Sequence, residues 1–270
     1  MDLQWVSEKI QEQGQHPRTV YQTGARPNGQ LCPPRRAGDQ TRSSLCLGDK
    51  QSRELWKRAD AVCFDVDSTL CTEESIDELA SFLGVGEIVA EATARAMQGD
   101  LPFEESLDLR LGLMQPSSDQ VQEYSQARPL HLSPDVAGLI DKLQNRGTKI
   151  FLVSGGFRAI IHPIAEALRI PIDHVYANTI LFKEDGSYAG FDHTELTSRS
   201  RGKHAAAVAI KEQHGSKSLV MIGDGATDLE ARQEGGADMF VGYGGVVRRP
   251  NIAAAADWYI DAFGSLLEAL

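Results

Sequence analysis

Three apolar segments of this chain each run directly into a turn of acidic, hydroxyl or glycine residues, and this pattern constrains the fold more than any other feature. The segments lie at residues 61–64, 149–153 and 218–223, and a fourth apolar segment follows at 239–243. Stretches with helical spacing separate them. Such alternation predicts an α/β fold in which a parallel sheet has helices on both faces and reactive groups at the carboxyl ends of its strands.

The first of these strand ends carries two carboxylates, Asp65 and Asp67. Residues two apart in a strand share one face, so both acids can lean toward one small reactant. At about 4 Å and an effective dielectric near 20, two such charges repel by about 4 kcal/mol, which calls for a bound cation or a shared proton. The alternative is an ordinary turn that caps a helix, because Asp, Ser and Thr favour both turns and N-caps.

The other strand ends add a hydroxyl, a glycine-rich turn, a lysine and two further acids. They are Ser154, Gly155, Gly156, Lys203, Asp224 and Asp228. Each of them alone has an ordinary explanation as a cap, a turn or a solvated side chain. Together, the carboxylates suit Mg²⁺, and the hydroxyl, the turn amides and the lysine suit a phosphate dianion. The sequence therefore predicts a site for a metal ion and a phosphate.

Composition narrows the class of partner. The net charge of −11 argues against a general binder of nucleic acid or of anionic membranes, and no apolar run is long enough to span a bilayer. The 4 cysteines form no C-x-x-C pair, so we expect thiols in a reducing compartment and no structural zinc.

The chain divides into a leader and one folded region. Residues 13–48 are rich in Gly, Pro, Gln and Arg, with Asp39 as their one acid, so we predict a disordered leader over residues 1–52. A transit segment and a tail without a targeting role are both open. Regular patterns begin near Arg53, helical spacing predicts an insert of short helices at about 73–131, and Asp185-Gly186 predicts a hairpin.

These motifs resemble the haloacid-dehalogenase superfamily of aspartate-nucleophile phosphatases. The resemblance spans residues 53–270 and rests on four motifs in order: Asp65-Val66-Asp67-Ser68-Thr69, Ser154, Lys203 and Gly223-Asp224-Gly225-Ala226-Thr227-Asp228. It implies a three-layer Rossmann-like parallel sheet, a small helical cap inserted at about 73–131 and a β-hairpin flap. Leu229-Glu230-Ala231-Arg232 is similar to the plant and algal branch, which favours the plastid stroma, with the cytoplasm as the alternative.

The resemblance also implies roles. Asp65 would be the nucleophile and Asp67 the general acid and base, while Mg²⁺ would be held by Asp65, by the carbonyl of Asp67 and by Asp224, with Asp228 in support. The implied substrate is O-phospho-L-serine, hydrolysed through an aspartyl-phosphate in the last step of serine biosynthesis. Its ammonium would face Glu74 and its carboxylate Arg110. The remaining implied substrate contacts are Met97, Gln98, Ser154, Gly155, Gly156, Lys203 and Thr227.

Two positions depart from the family pattern, because Gln98 and Arg201 stand where the family usually has glycine. The selectivity at these positions is therefore open. A phosphatase or phosphotransferase acting on another small phosphomonoester is the nearest alternative. A non-enzymatic receiver module, which also joins acids, magnesium and a lysine, is disfavoured by Asp67 and by the helical insert. A homodimer is compatible with the resemblance, and the oligomeric state is open.

Overall fold

A six-stranded parallel sheet forms the centre of the computed structural model, which describes residues 49–97 and 101–270. The strand order is β3-β2-β1-β6-β7-β8, and β4 and β5 form a separate antiparallel pair. The strands are β1 Ala61–Phe64, β2 Lys149–Phe157, β3 Val175–Asn178, β4 Ile180–Phe182, β5 Tyr188–Phe191, β6 Leu219–Gly223, β7 Met239–Tyr243 and β8 Trp258–Ile260. The predicted α/β class with a parallel sheet and a small hairpin is confirmed.

Helices outside residues 75–127 cover both faces of this sheet. The helices of the described residues are Asp49–Arg58, Ser75–Phe82, Gly86–Met97, Phe103–Met114, Ser118–Ala127, Val136–Asn145, Arg158–Ala167, Gly202–His214, Ala226–Glu230, Pro250–Ala255 and Gly264–Glu268, with short 3₁₀ turns at Ile172–His174 and Leu196–Ser198. Every residue of β1 is buried, with Val62 and Phe64 in one apolar cluster and Ala61 and Cys63 in another. A strand buried on both faces reads as a continuous apolar run, which is how the sequence presents it.

The register of the central strands brings their carboxyl ends to one edge. Phe64, the last residue of β1, pairs with Leu152 in β2 and with Ile222 in β6. The residues that follow these positions in the three strands therefore lie side by side, and this edge is where the predicted site residues converge.

Four helices between β1 and β2 form a segment of their own, called here the four-helix segment (residues 75–127). Its apolar cluster contains Leu79, Leu107 and Leu111, and it packs against Phe157 of β2 and Phe191 of the hairpin. The segment thus rests on the same edge of the sheet as the strand ends. Its role as a cap, with bounds at about 73–131, stays a prediction.

The structure corrects two predicted boundaries. The first helix begins at Asp49, and Ser52, assigned to the leader, is buried and donates a hydrogen bond to the carbonyl of Asp257 at 3.3 Å. The rest of the predicted leader lies outside the described residues. Strand β2 does not end at Val153 but continues to Phe157, because Phe157 pairs with Asn178 in β3 after a shift in register. Among the described residues, no helix combines the length and apolar composition needed to cross a membrane.

Candidate active site

Three buried carboxylates converge at the carboxyl edge of the sheet. Asp65 directly follows β1, Asp224 directly follows β6, and Asp228 lies in the helix after it. One oxygen of each lies within 4.8 Å of the others. Gly223 makes room for this cluster, because a Cβ atom at that position would come within 2.1 Å of Cγ of Asp228.

Lys203 lies between two of these acids. It belongs to the first turn of the helix Gly202–His214, and its Nζ is 2.7 Å from Oδ1 of Asp65 and 2.5 Å from Oδ1 of Asp228. Burial disfavours the ammonium, but the charges of Asp228 and Asp65 outweigh it and raise the pKa of Lys203 above its ordinary value. Burial and the neighbouring Asp228 raise the pKa of Asp65, and Lys203 opposes this. The lysine is therefore a fixed cation beside the predicted nucleophile.

Asp224 has a different cation. Its Oδ2 accepts a hydrogen bond from Nε of Arg249 at 3.0 Å, and its Oδ1 is 3.5 Å from the hydroxyl of Thr69. Arg249 was not among the site residues predicted from the sequence. A signal was present, because Arg249 follows strand β7, whose carboxyl end lies at the same edge of the sheet.

Asp67 is held by a residue that the sequence analysis also missed. Oδ1 of Asp67 accepts from the backbone N of Ser75 at 3.0 Å, and Oδ2 accepts from the Ser75 hydroxyl at 2.9 Å. Burial raises the pKa of Asp67, and the hydrogen bonds from Ser75 oppose that rise. A raised pKa favours the protonated form, which is the form that a general acid needs.

Glu74 lies one residue before this contact. Its Oε1 accepts a hydrogen bond from the Ser68 hydroxyl at 2.7 Å. Burial, followed by the charge of Asp67, raises the pKa of Glu74 to about 7. A half-buried acid of this kind gains from a cationic ligand, because a positive charge nearby restores the carboxylate form.

The residues at the carboxyl end of β2 pack closely against their neighbours at the site. The hydroxyl oxygen of Ser154 accepts from the backbone N of Gly156 at 2.9 Å. A Cβ atom on Gly156 would lie 2.9 Å from Oγ of Ser75, and one on Gly155 would lie 2.9 Å from the ring of Phe103. A side chain at either position would therefore displace one of these neighbours, and the Gly155 carbonyl is fixed by the side-chain amide of Asn178 at 2.8 Å.

The other predicted substrate contacts are Arg110, Thr227, Met97 and Gln98. Arg110 is half-buried on the helix Phe103–Met114, where its Nε donates to the carbonyl of Ser106 at 3.2 Å and burial lowers its pKa. Among the described residues its guanidinium forms no ion pair within 4.0 Å. Thr227 is exposed in the helix Ala226–Glu230. Met97 ends the helix Gly86–Met97, and Gln98 lies outside the described residues.

Arg201, the other departure, has a backbone φ of 62°. This left-handed conformation suits glycine and strains most side chains, which gives a physical reason for glycine at this position in the family pattern.

The charges at this edge leave a role for a divalent cation. The three clustered acids are paired with Lys203 and Arg249, so one negative charge of the cluster has no counterpart in these contacts. Carboxylate oxygens are the ligands that Mg²⁺ prefers. The residues at this edge therefore fit a magnesium ion, which Asp65 and Asp224 could hold.

The sequence model of the haloacid dehalogenase-like hydrolases matches residues 59–236. The chain therefore belongs to this hydrolase family and is an enzyme. That assignment excludes the alternative of a non-enzymatic receiver module.

Individual relatives narrow the assignment further. Phosphoserine phosphatase, chloroplastic, from Arabidopsis thaliana is 51% identical over 221 residues, which cover 82% of this chain and 75% of the relative. The chain is thus a member of the phosphoserine phosphatase group. A substrate-bound phosphoserine phosphatase complex superposes with a TM-score of 0.67 at 27% identity and covers 79% of this chain and 99% of its own. A phospho-aspartyl intermediate analogue of phosphoserine phosphatase gives a TM-score of 0.66 at 28% identity, and the match covers 78% of this chain and 99% of that one.

Proposed function

We propose that this protein hydrolyses O-phospho-L-serine to L-serine and phosphate in a magnesium-dependent reaction that passes through an aspartyl-phosphate on Asp65. One observation carries the proposal. Asp65, the fixed cation Lys203 and the half-buried acid Asp67 lie at one edge of the sheet, and Asp65 belongs to an acid cluster suited to a metal ion. The relative solved as a phospho-aspartyl intermediate analogue supports the covalent step.

In the first half of the reaction, a carboxylate oxygen of Asp65 forms a bond to phosphorus while the bond from phosphorus to the serine oxygen breaks. Asp67 gives its proton to the departing serine oxygen. In the second half, Asp67 takes a proton from water, whose oxygen attacks phosphorus and releases phosphate from Asp65. Splitting one slow displacement into two easier ones is the benefit of a covalent intermediate.

Charge stabilisation accounts for much of the proposed rate. Lys203, the hydroxyl of Ser154 and the amides of Gly155 and Gly156 are proposed to contact the phosphoryl oxygens, with the Gly156 amide exchanging its acceptor, Oγ of Ser154, for one of them. When bound to Asp65, Asp224 and the carbonyl of Asp67, Mg²⁺ would supply positive charge that offsets the negative charge on the phosphoryl oxygens. Asp228 would hold Lys203 and, through the Gly225 amide at 3.0 Å, the turn after β6.

Substrate choice is assigned to the four-helix segment and to Glu74, which directly precedes it. Glu74, with its raised pKa, is proposed to bind the ammonium of phosphoserine. Arg110 is proposed to bind the carboxylate, because its guanidinium has no acidic partner within 4.0 Å among the described residues. Arginine suits a planar carboxylate because it can donate two parallel hydrogen bonds. Met97, Gln98 and Thr227 stay predicted substrate contacts.

The proposed setting is the last step of serine biosynthesis in the plastid stroma, with the cytoplasm as the alternative. The chloroplastic relative supports the plastid. Homodimerisation stays a prediction that sedimentation of the purified protein can check.

The test is phosphate release from a substrate panel with and without magnesium. We expect O-phospho-L-serine to give the highest kcat/KM, ahead of phosphothreonine and sugar phosphates. Asp65→Asn should abolish release, whereas Asp141→Asn, the same change at an exposed acid, should leave it unchanged. Faster turnover of another ester, or transfer of phosphate to an added alcohol in preference to water, would instead support the related phosphatase or phosphotransferase.

A further inference from the structure

The carboxyl group of Asp67 is clamped by one residue. Ser75, the first residue of the helix Ser75–Phe82, reaches both oxygens, with its backbone N 3.0 Å from Oδ1 and its hydroxyl 2.9 Å from Oδ2. Ser75 itself is 1% exposed. A buried hydroxyl with a defined acceptor has little freedom, so this contact fixes the plane of the Asp67 carboxyl group.

We propose that Ser75 is a positioning residue, whose hydroxyl orients Asp67 toward the leaving oxygen of the substrate. The inference rests on the proposed role of Asp67 as general acid. It adds a residue of the four-helix segment to the machinery of proton donation.

The surroundings leave the Asp67 carboxyl group few other positions. A Cβ atom on Gly156 would lie 2.9 Å from the Ser75 hydroxyl and 3.2 Å from Oδ2 of Asp67, so the backbone of β2 closes one side of the pair. Each carboxyl oxygen has about two hydrogen-bonding sites, and Ser75 occupies one on each. One site per oxygen therefore remains for the transferred proton.

A neighbouring contact joins the same two chain segments. The Ser68 hydroxyl donates to Glu74 at 2.7 Å, and the Ser68 amide donates to the Glu73 carbonyl at 3.2 Å. The pairs Asp67 with Ser75 and Ser68 with Glu74 are thus consecutive along both segments. Because Glu74 is the proposed ammonium contact, recognition of the substrate and placement of its proton donor share one short stretch of chain.

The test compares O-phospho-L-serine with two activated substrates, p-nitrophenyl phosphate and acetyl phosphate. The serine alkoxide needs a proton to depart, whereas p-nitrophenolate does not, and neither does the acetate of the smaller probe acetyl phosphate. For a reaction with a covalent intermediate, kcat/KM reports only the steps through leaving-group departure. We therefore expect Ser75→Ala to lower kcat/KM for O-phospho-L-serine about 30-fold, and for the two activated substrates less than about threefold.

Three further variants make the result specific. Asp67→Asn should show the same selective loss, larger in size. Ser75→Cys leaves no cavity, because the thiol is slightly larger than the hydroxyl, but it donates weakly, so it should resemble Ser75→Ala even where alanine weakens folding. Thr93→Val is the matched control, because it removes another hydroxyl that donates to a carboxylate in the four-helix segment, that of Asp77 at 3.2 Å. Thr93→Val should leave kcat/KM unchanged for O-phospho-L-serine and for the activated substrates.

The outcomes separate the inference from the proposal beneath it. If Ser75→Ala and Ser75→Cys lower kcat/KM equally for O-phospho-L-serine and for the activated substrates, the positioning role is overturned and Ser75 is a structural residue. If Asp67→Asn itself loses both equally, the proposed role of Asp67 fails, whatever Ser75 does. Selective loss in Asp67→Asn without selective loss in the Ser75 variants would overturn this inference alone.

Discussion

Replacing Lys203 by methionine should destabilise this fold far more than loss of an ordinary lysine. The side chain is 10% exposed, and its ammonium contacts Asp65 at 2.7 Å and Asp228 at 2.5 Å. Methionine keeps most of the stem but removes the charge. Both carboxylates would then stay buried without the cation that now offsets them, and burial already raises the pKa of each.

The expected size follows from this geometry. Breaking a buried ion pair by removing one partner costs about 3–5 kcal/mol, because an uncompensated charge remains inside. A domain of this size loses about 2–4 °C in Tm per kcal/mol, so Lys203→Met should lower Tm by about 6–20 °C. Tm should be measured in buffer that contains a metal chelator, because a bound divalent cation would replace part of the lost charge.

Thermal and urea unfolding of four variants would test this reasoning: Lys203→Met, Lys211→Met, Asp228→Asn and the double variant Lys203→Met with Asp228→Asn. Lys211→Met is the matched control, because Lys211 pairs with Asp238 in a more exposed place, with side chains 23% and 34% exposed, and should cost about 1 kcal/mol or less. Adding Asp228→Asn to Lys203→Met should cost at least about 1 kcal/mol less than the two single effects summed. Equal losses for Lys203→Met and Lys211→Met would refute the argument.

Three other perturbations have expected outcomes. Because the pKa of Glu74 is raised to about 7 and an ammonium needs the carboxylate form, KM for O-phospho-L-serine should rise about tenfold per pH unit below 7. Glu74→Gln should remove that rise, and a wild-type-like pH profile of KM in this variant would contradict the assignment. Gly156→Ala forces a Cβ atom to 3.2 Å from Oδ2 of Asp67, so kcat should fall about 100-fold as measured by phosphate release. Magnesium should raise the Tm of the wild-type protein in differential scanning calorimetry, and Asp224→Asn should lose most of that increase; an undiminished increase would exclude Asp224 as a ligand.

The sequence was informative where chemistry follows strand topology. Once the parallel sheet is inferred, Asp65, Ser154 and Asp224 must lie at one edge, because each follows or ends an apolar strand whose register the buried residues determine. The motif order of the family then attaches roles to these positions. Those roles stay predictions until variants are measured.

Other features depend on contacts that no local pattern specifies. Ser75 reads in the sequence as an ordinary helix start, and its bonds to Asp67 arise only where the four-helix segment folds back onto the sheet. The pair Arg249 and Asp224 joins residues 25 apart. Strand β2 extends past Val153 because Phe157 pairs with Asn178 of the neighbouring strand β3. A glycine-rich sequence does not predict such an extension.

The central claim is that Asp65 becomes phosphorylated. Protein incubated with O-[³²P]phospho-L-serine and magnesium, quenched in acid and digested, should yield one labelled peptide, with the phosphate on Asp65 and no label in Asp65→Asn. Label on a different residue, or rapid phosphate release with no phosphoenzyme at any quench time, would contradict the account.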